Sequence, residues 1–550
     1  MVSAADSSVT SSITTTTTSS SSSATKSNSD TRESIFHSPP LPFNLTDAGL
    51  LNRDCHVHNK WISSRSKKRF AVLDPGTGRV WATCPDCDRD DVNPTVKSAF
   101  TAFQVFSSDT MSSERSRLLT AWHQLILAAR LDLATIFVHE TGKPLPEALA
   151  EVNYGANLVR WFAGEAERFQ QVVSPGPFPS DSPLPAMTSN PPTPNTIQGR
   201  SSAVLKQPIG VVLALVPWSF PLAITLRKAA AALAAGCTVI VKPSSETPLT
   251  ALALACLANR AGFPAGAFNV ITTSLNNTPL VAEALCMHPM VKAVSFTGSK
   301  RVGKRVAAAC TRNLKRLSLD LGGNCPFIVF EDADLETTAK ELAALKWRHA
   351  GQACIAPNRC YVQRRAYESF SKFLVAEAKK LKIGHGMARE STLGPLTTIR
   401  GLYKAEALCK DAMDKGAVKL LGTGRRELGD GYFMSPTVLG GMEDSMLMCR
   451  EEVFAPVLGL YVFDTEDEVL RRANDTPVGL AGYVFTKNPN RMRRVFERLD
   501  AGVLGMNTVS LVTEAPMPAE NTGNGCGSGF GKATTLEEFL VTKSGAMMMM

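Results

Sequence analysis

Over the middle of this chain, short apolar runs alternate with helix-length segments rich in Ala and Leu, and no other feature restricts the fold as much. Runs at 211–216 (VVLALV), 238–241 (TVIV), 268–272 (FNVIT) and 293–298 (AVSFTG) form one series. Runs at 327–330 (FIVF), 360–363 (CYVQ), 418–422 (VKLLG), 458–463 (LGLYVF) and 482–486 (GYVFT) form a second. Strands that are apolar throughout are buried on both faces, which happens where helices cover a parallel sheet. Two α/β units are therefore expected, with Asp320 near their junction, and 550 residues are too many for one hydrophobic core.

The flanking regions read differently. Residues 7–23 are all Ser or Thr except Val9 and Ile13. That is too little apolar surface to offset the entropy of ordering, so residues 1–45 are expected to be disordered. The first basic residues, Lys26 and Arg32, come late for an Arg-rich presequence. A cytoplasmic location is expected, with mitochondrial import as the alternative. Residues 70–84 read as two short strands around Pro75-Gly76-Thr77-Gly78. Cys55, His58, Cys84 and Cys87 have a spacing like that of a zinc knuckle, but those strands would hold them apart, and no metal is expected. Helical periodicity runs over 93–169, with Leu118, Trp122, Leu125 and Ala129 on one face. Prolines then crowd residues 172–203, which marks a loop or a hairpin with a long exposed tip.

Charge and cysteine usage narrow the function. The net charge of +9 arises from 59 basic and 50 acidic residues without a long run of one sign. Nucleic acid is not an expected partner, while a basic pocket for an anionic ligand stays open. Thirteen cysteines without a repeating interval point to reduced thiols. The longest apolar runs are broken by Gly, Pro or charge, and no membrane span is expected.

The stretch 316–359 holds the chemistry. It places Asp320 beside Gly322 and Gly323, then passes through a strand and a helix to Cys354 in the loop Gly351-Gln352-Ala353-Cys354. A cysteine in a Gly- and Ala-lined turn after a helix is reachable by backbone donors and by substrate, as a thiolate nucleophile must be. A buried core thiol is the alternative.

Further motifs decide between these readings. Pro217-Trp218-Ser219-Phe220-Pro221, Lys242-Pro243-Ser244-Ser245-Glu246, Phe296-Thr297-Gly298-Ser299, Leu321-Gly322-Gly323, Gly351-Gln352-Ala353-Cys354 and Glu452-Val453-Phe454-Ala455-Pro456 stand in one order and spacing. Over about residues 55–545 the chain resembles the aldehyde dehydrogenase superfamily, and within it the succinate-semialdehyde dehydrogenases. The resemblance implies an α/β aldehyde dehydrogenase fold: a Rossmann-like cofactor domain (46–171 and 206–318), an α/β catalytic domain (319–510), and a small β oligomerisation flap with a C-terminal tail (172–205 and 511–550). It implies NADP- or NAD-dependent oxidation of an aldehyde to a carboxylic acid through a cysteine thiohemiacetal and thioester, with succinate semialdehyde as the substrate. Cys354 is then the nucleophile, Asp320 the general base, Ser219 an oxyanion donor beside the Cys354 N–H, and Lys228 a neighbour of the site. Gly298 and Ser299 would meet the pyrophosphate; Lys242 and Glu452 the ribose hydroxyls. Trp218, Ser244, Ser245, Leu321 and Phe454 complete the cofactor set, and Arg227 with Arg348 would clamp a substrate carboxylate. Ser245 stands where NAD-preferring relatives carry Glu, which should admit NADP unless Glu246 swings in.

The chain also departs from the family pattern. Ser219 replaces the family's oxyanion asparagine, and Asp320 replaces its glutamate base with one methylene fewer, so deacylation should be slow. The C-terminal motif keeps Ser528-Gly529-Phe530-Gly531-Lys532 but loses a Phe-Gly-Gly turn, and Ser510 and Thr513 both stand as the substrate-binding serine. Cys354 precedes Ile355-Ala356, so the Cys-x-Cys pair of some relatives is missing. A homodimer is expected, with a homotetramer as the alternative; Met547 to Met550 have no evident role. Two other readings stand beside the main one: a slow aldehyde dehydrogenase of secondary metabolism, and a binding protein that has lost turnover.

Overall fold

The computed structural model describes residues 40–168, 200–427, 429–476, 479–511 and 536–548. Most of the expected disordered segment, the proline-rich tip, Thr513 and Ser528-Gly529-Phe530-Gly531-Lys532 lie outside the described residues. The strands, in chain order, begin with β1 (Cys55–Val57), β2 (Lys60–Ile62), the hairpin β3 (Arg69–Asp74) and β4 (Arg79–Pro85), and β5 (Arg200–Pro208). They continue through β6 (Val211–Leu215), β7 (Thr238–Lys242), β8 (Phe268–Val270), β9 (Val291–Gly298) and β10 (Arg316–Leu321). The second half supplies β11 (Pro326–Val329), β12 (Arg359–Gln363), β13 (Val418–Leu421), β14 (Thr437–Gly440), β15 (Val457–Phe463), β16 (Ala481–Phe485), β17 (Val503–Met506) and β18 (Leu540–Met548).

These strands build two seven-stranded sheets, ordered β10-β9-β6-β7-β8-β1-β2 and β13-β14-β15-β12-β11-β16-β17. Both are parallel except at β1, β2 and β13. The nine apolar runs read from the sequence all lie in them. β10 escaped that reading for a physical reason: it is an edge strand, Arg-Leu-Ser-Leu-Asp-Leu, that alternates polar and apolar residues instead of being apolar throughout. Residues 89–168 hold four helices, of which Ser112–Ala128 buries Leu118 and Trp122. Among the described residues no single helix is long and apolar enough to cross a membrane. The bent pair Ser112–Ala128 and Arg130–Thr141 passes that test only when joined across a 72° break.

In the first sheet the chain runs outward from β6 to β8, then crosses back to place β9 and β10 on the other side of β6. That reversal opens a crevice beyond the carboxyl ends of β6 and β9, where open α/β sheets bind ligands. The helices after β6 and β7, Pro221–Ala235 and Pro248–Arg260, start with proline, whose missing N–H costs nothing in the first turn. Neither receives a cap from its own N-cap side chain, Phe220 or Thr247. Buried carboxylates from the helical layer do that work. Glu151 accepts from the N–H groups of Leu222 and Ala223, both at 3.2 Å. Glu140 accepts from the N–H groups of Leu249 (2.6 Å) and Thr250 (3.0 Å).

The hairpin is fixed through Asp74, which accepts from the Gly76 N–H inside its own turn. Its other oxygen meets His139 Nδ1 at 3.0 Å and His385 Nε2 at 2.9 Å. Outside both sheets β5 and β18 pair antiparallel from Leu540 opposite Pro208 to Met548 opposite Arg200. Met547 and Met548, which had no evident role in the sequence, therefore extend a ladder.

Because Glu140 satisfies two buried N–H groups at the start of Pro248–Arg260, Glu140→Ala should cost about 2–6 kcal/mol, since each unmet buried donor costs roughly 1–3 kcal/mol. A lowered denaturant midpoint checks this, and an unchanged midpoint would show that the cap contributes nothing.

Candidate active site

A cavity of about 370 Å³ lies over the crevice of the first sheet. Trp218 and Ser219 reach it from the end of β6, Gly298 and Ser299 from β9, and Asp320 and Leu321 from β10. The second sheet closes it with Arg348 and Cys354 ahead of β12, and Glu452 and Phe454 ahead of β15. Arg227 lines it from the helix Pro221–Ala235.

Cys354 sits half-buried at the end of a strained loop. His349 (φ 49°), Ala350 (φ 51°) and Gly351 (φ 74°) are successive left-handed residues, and each such non-glycine costs about 1–3 kcal/mol unless its surroundings fix it. Glycine is required at 351, where a Cβ would collide with the Ala455 carbonyl. The Glu147 carboxylate fixes the loop by accepting from the His349 N–H at 2.7 Å. Gln352 donates to the His349 carbonyl (3.1 Å) and accepts from the Thr397 N–H (2.9 Å). Burial pushes the Cys354 thiol up to about 12, and the charges of Glu452 and Asp320 add to this against the opposing Arg227. At rest the sulfur is a thiol and needs a base to become a nucleophile.

Asp320 is tightly held. Burial would raise its carboxyl, but Arg227 and Lys228 with the Thr297 hydroxyl hold it below the usual value. Arg227 donates to Asp320 Oδ2 at 2.5 Å and Thr297 to the same oxygen at 3.0 Å, while Lys228 lies 3.5 Å away and donates to Ser295 at 2.7 Å. Oδ1 is buried without a hydrogen-bond partner among the described residues. Arg227, expected to face a substrate carboxylate, is thus engaged with a carboxylate of the chain itself. The reason is proximity: β10 carries Asp320 alongside the helix that carries Arg227. Arg348 is exposed to the cavity, stacks over Phe220 at 5.2 Å, and makes no ion pair among the described residues.

Lys242, Ser244 and Ser245 are not among the residues lining this cavity, and Lys228 reaches it only through Asp320. Lys242 lies at the end of β7 and donates to Thr278 at 2.9 Å; burial lowers it to about 8. Ser510 is exposed and outside the cavity.

The donor set fits a dinucleotide. Among the described residues Glu452 Oε1 is buried without a hydrogen-bond partner, as a ribose-binding carboxylate would be, and Gly322 leaves the space beside it, where a Cβ would strike Glu452. Burial raises the Glu452 carboxyl to about 7. Ser299 caps the helix Lys300–Thr311 through the Val302 N–H, so a positive helix end faces the cavity.

For a metal the fit fails. Asp74, His139 and His385 bring three ligand atoms within 4.8 Å of one another. The Met387 N–H, however, donates to His385 Nδ1 at 3.2 Å, so Nε2 carries the proton and its lone pair is closed to an ion. The four zinc-knuckle residues do not converge: His58 bonds Ser98, and Cys84 packs in a different cluster from Cys55 and Cys87.

Sequence reading missed the residues that support the site. Lys143 and Glu151 form a buried ion pair, and Lys143 stacks over Phe220 at 3.8 Å, so the segment from Lys143 to Glu151 braces both the turn at Phe220 and the loop before Cys354. Their signal was charge at four-residue steps, Lys143, Glu147 and Glu151, beside otherwise buried positions. Tyr154 lines the cavity one turn further.

Residues 61–544 match the model of the aldehyde dehydrogenase family. The chain belongs to this family. It is 41% identical over 517 residues to succinate-semialdehyde dehydrogenase (NADP(+)) 1 of Schizosaccharomyces pombe, covering 92% of this chain and 98% of that one. It is 40% identical to 3-sulfolactaldehyde dehydrogenase of Pseudomonas putida over 86% and 92%. The solved succinate-semialdehyde dehydrogenase from Burkholderia pseudomallei superposes with a TM-score of 0.84 at 35% identity, over 92% of this chain and 100% of that one. The activity is therefore NAD(P)-dependent oxidation of an aldehyde, and the aldehyde dehydrogenase fold anticipated from the sequence is the fold observed.

The buried pair makes a stability prediction. Asp320→Asn strips the counter-ion from Arg227 and should cost about 3 kcal/mol at pH 7. Since the carboxyl titrates lower in the folded chain than in the unfolded one, its contribution is present above the unfolded value near 3.8 and fades as pH falls through the folded value. Urea midpoints of the two proteins should therefore differ at pH 5–7 and converge in stronger acid. A constant gap would contradict this.

Proposed function

We propose that the chain oxidises succinate semialdehyde to succinate, with Arg348 holding the distal carboxylate. What supports this is one observation: Arg348 is the exposed guanidinium in a cavity that also holds the nucleophile, and it has no ion-pair partner among the described residues. A guanidinium suits a carboxylate because two parallel charged hydrogen bonds can form. The relatives named above act, by their names, on a semialdehyde and on a sulfonated aldehyde, both anionic at the far end.

In this reading a base removes the Cys354 proton and the sulfur adds to the aldehyde carbon. The Cys354 N–H and the Ser219 hydroxyl donate to the oxygen as it becomes anionic. The bound NAD(P) supplies the hydride acceptor. Lys242, Ser244 and Ser245 at the end of β7 would hold its adenosine ribose, Gly298 and Ser299 its pyrophosphate, and Glu452 its second ribose, with Trp218, Leu321 and Phe454 walling the cleft. The resulting acyl–Cys354 thioester is cleaved by water, whose proton passes to Asp320 Oδ1, the oxygen left without a partner. Arg227 and Lys228 hold Asp320 ionised but weaken it as a base, so deacylation is slow.

A specialised aldehyde of secondary metabolism is the second reading, favoured by the engagement of Arg227 with Asp320, which leaves one guanidinium for the substrate. The β5–β18 ladder stands outside both sheets, and two strands alone are marginal. Pairing with a partner subunit to form a homodimer or homotetramer supplies what is missing. The twelve cysteines among the described residues are free thiols, which suits the cytoplasm.

The test is a panel of aldehydes with NAD and NADP. Succinate semialdehyde should exceed butanal in kcat/KM by about 10- to 100-fold, the worth of a charged hydrogen bond of roughly 1.5–3 kcal/mol. Arg348→Met should erase that advantage, and Cys354→Ala should abolish turnover of both. Equal rates for the two aldehydes in the unmodified protein would reject the substrate assignment.

A further inference from the structure

The net charge of +9 is not evenly spread: between Glu283 and Asp320 stand eight Lys and Arg residues and no acidic one. Three of them are engaged. Lys315 donates to the carbonyls of His288 (2.6 Å) and Val291 (2.5 Å), Arg316 donates to the Glu538 carbonyl at 3.2 Å, and Arg312 faces Glu283 at 3.8 Å. Arg301, Lys304 and Arg305 differ, standing exposed on the helix Lys300–Thr311 without an ion-pair partner among the described residues. The opposite side of that helix is buried through Gly303, Val306, Ala309 and Cys310. At Gly303 it lies so close to Leu321, a wall of the cavity, that a Cβ would strike it. The helix also follows directly on Gly298 and Ser299, which line the cavity.

Arg301 repels Lys304 and Arg305 at helical spacings of three and four residues, and the first turn holds no acidic residue to balance them. Cations near the start of a helix also oppose its dipole. The arrangement destabilises the helix that carries it, and what it supplies is a positive field beside the cavity. At 1.5 Å of rise per residue Arg305 lies about 9 Å along the axis from Ser299, close to the screening length of about 8 Å at physiological salt and well inside that of about 30 Å at 0.01 M. None of the three side chains lines the cavity itself. We infer that Arg301, Lys304 and Arg305 steer the cofactor: their field draws the dinucleotide's phosphates toward the cavity and sets the rate of arrival, with no contact once it is bound. Charges placed in this way raise association rates by about 10- to 1,000-fold and act on arrival, not on departure.

This inference rests on the cofactor placement proposed above, with the pyrophosphate at Gly298 and Ser299. It is tested by stopped-flow fluorescence of NADPH binding to the full-length protein, without aldehyde, in the unmodified chain and in Arg301→Gln combined with Lys304→Gln and Arg305→Gln. At about 0.02 M salt the triple change should lower the association rate constant by about tenfold, and at about 0.5 M by less than about twofold, with dissociation unchanged at both. Turnover at saturating cofactor should match that of the unmodified chain. An association rate constant within about twofold of the unmodified one at low salt overturns the inference, as does a loss that persists at high salt or appears in dissociation. Gly298→Val examines the placement separately, because a Cβ there would meet the Phe296 ring at the proposed pyrophosphate seat, and it should speed dissociation. If Gly298→Val leaves NADPH binding unchanged, the placement fails and takes the inference with it.

Discussion

Asp320 shares one oxygen among Arg227 and Thr297, with Lys228 close behind, and the chemistry of the cavity follows from that crowding. A carboxylate surrounded by cations stays ionised, which a proton acceptor needs, yet each cation lowers its appetite for a proton. The same contact engages Arg227, and under the proposed function the charge facing the substrate is then that of Arg348. In the proposed function, one local packing event thus weakens the base and sets the substrate anchor together.

The cavity keeps its shape because carboxylates from the helical layer reach across to it. Glu151 caps the helix behind Trp218 and Ser219, Glu140 caps the helix behind Ser244 and Ser245, and Glu147 holds the left-handed loop before Cys354. Each replaces a cap or a hydrogen bond that the local sequence does not supply. Burying these groups costs solvation, visible in the carboxyls of Glu140, raised to about 8, and Glu147, raised to about 7. The return is a pair of loops fixed relative to one another across the junction of the two sheets.

How much of this was legible depended on range. The buried parallel strands announced themselves through continuous apolar runs, and the motifs around Trp218, Gly298 and Cys354 marked the ends of those strands. Legibility failed where a partner is distant in sequence. Nothing near Arg227 tells that Asp320, 93 residues on, will claim it, and nothing near Glu246 points to its ion-pair partner Arg400, 154 residues away. Edge strand β10 was missed because half-exposed strands alternate instead of running apolar, and Met547 and Met548 because a ladder needs backbone, not a motif.

Under the proposed function, acylation of Cys354 outruns hydrolysis of its thioester because Asp320 is a restrained base. Stopped-flow recording of reduced cofactor on mixing with saturating succinate semialdehyde measures this directly. The account predicts a burst approaching one reduced cofactor per Cys354, followed by a steady phase at least about tenfold slower, the usual cost of impairing a general base being about 10²-fold or more. Formation of reduced cofactor that is linear from the first turnover would contradict it.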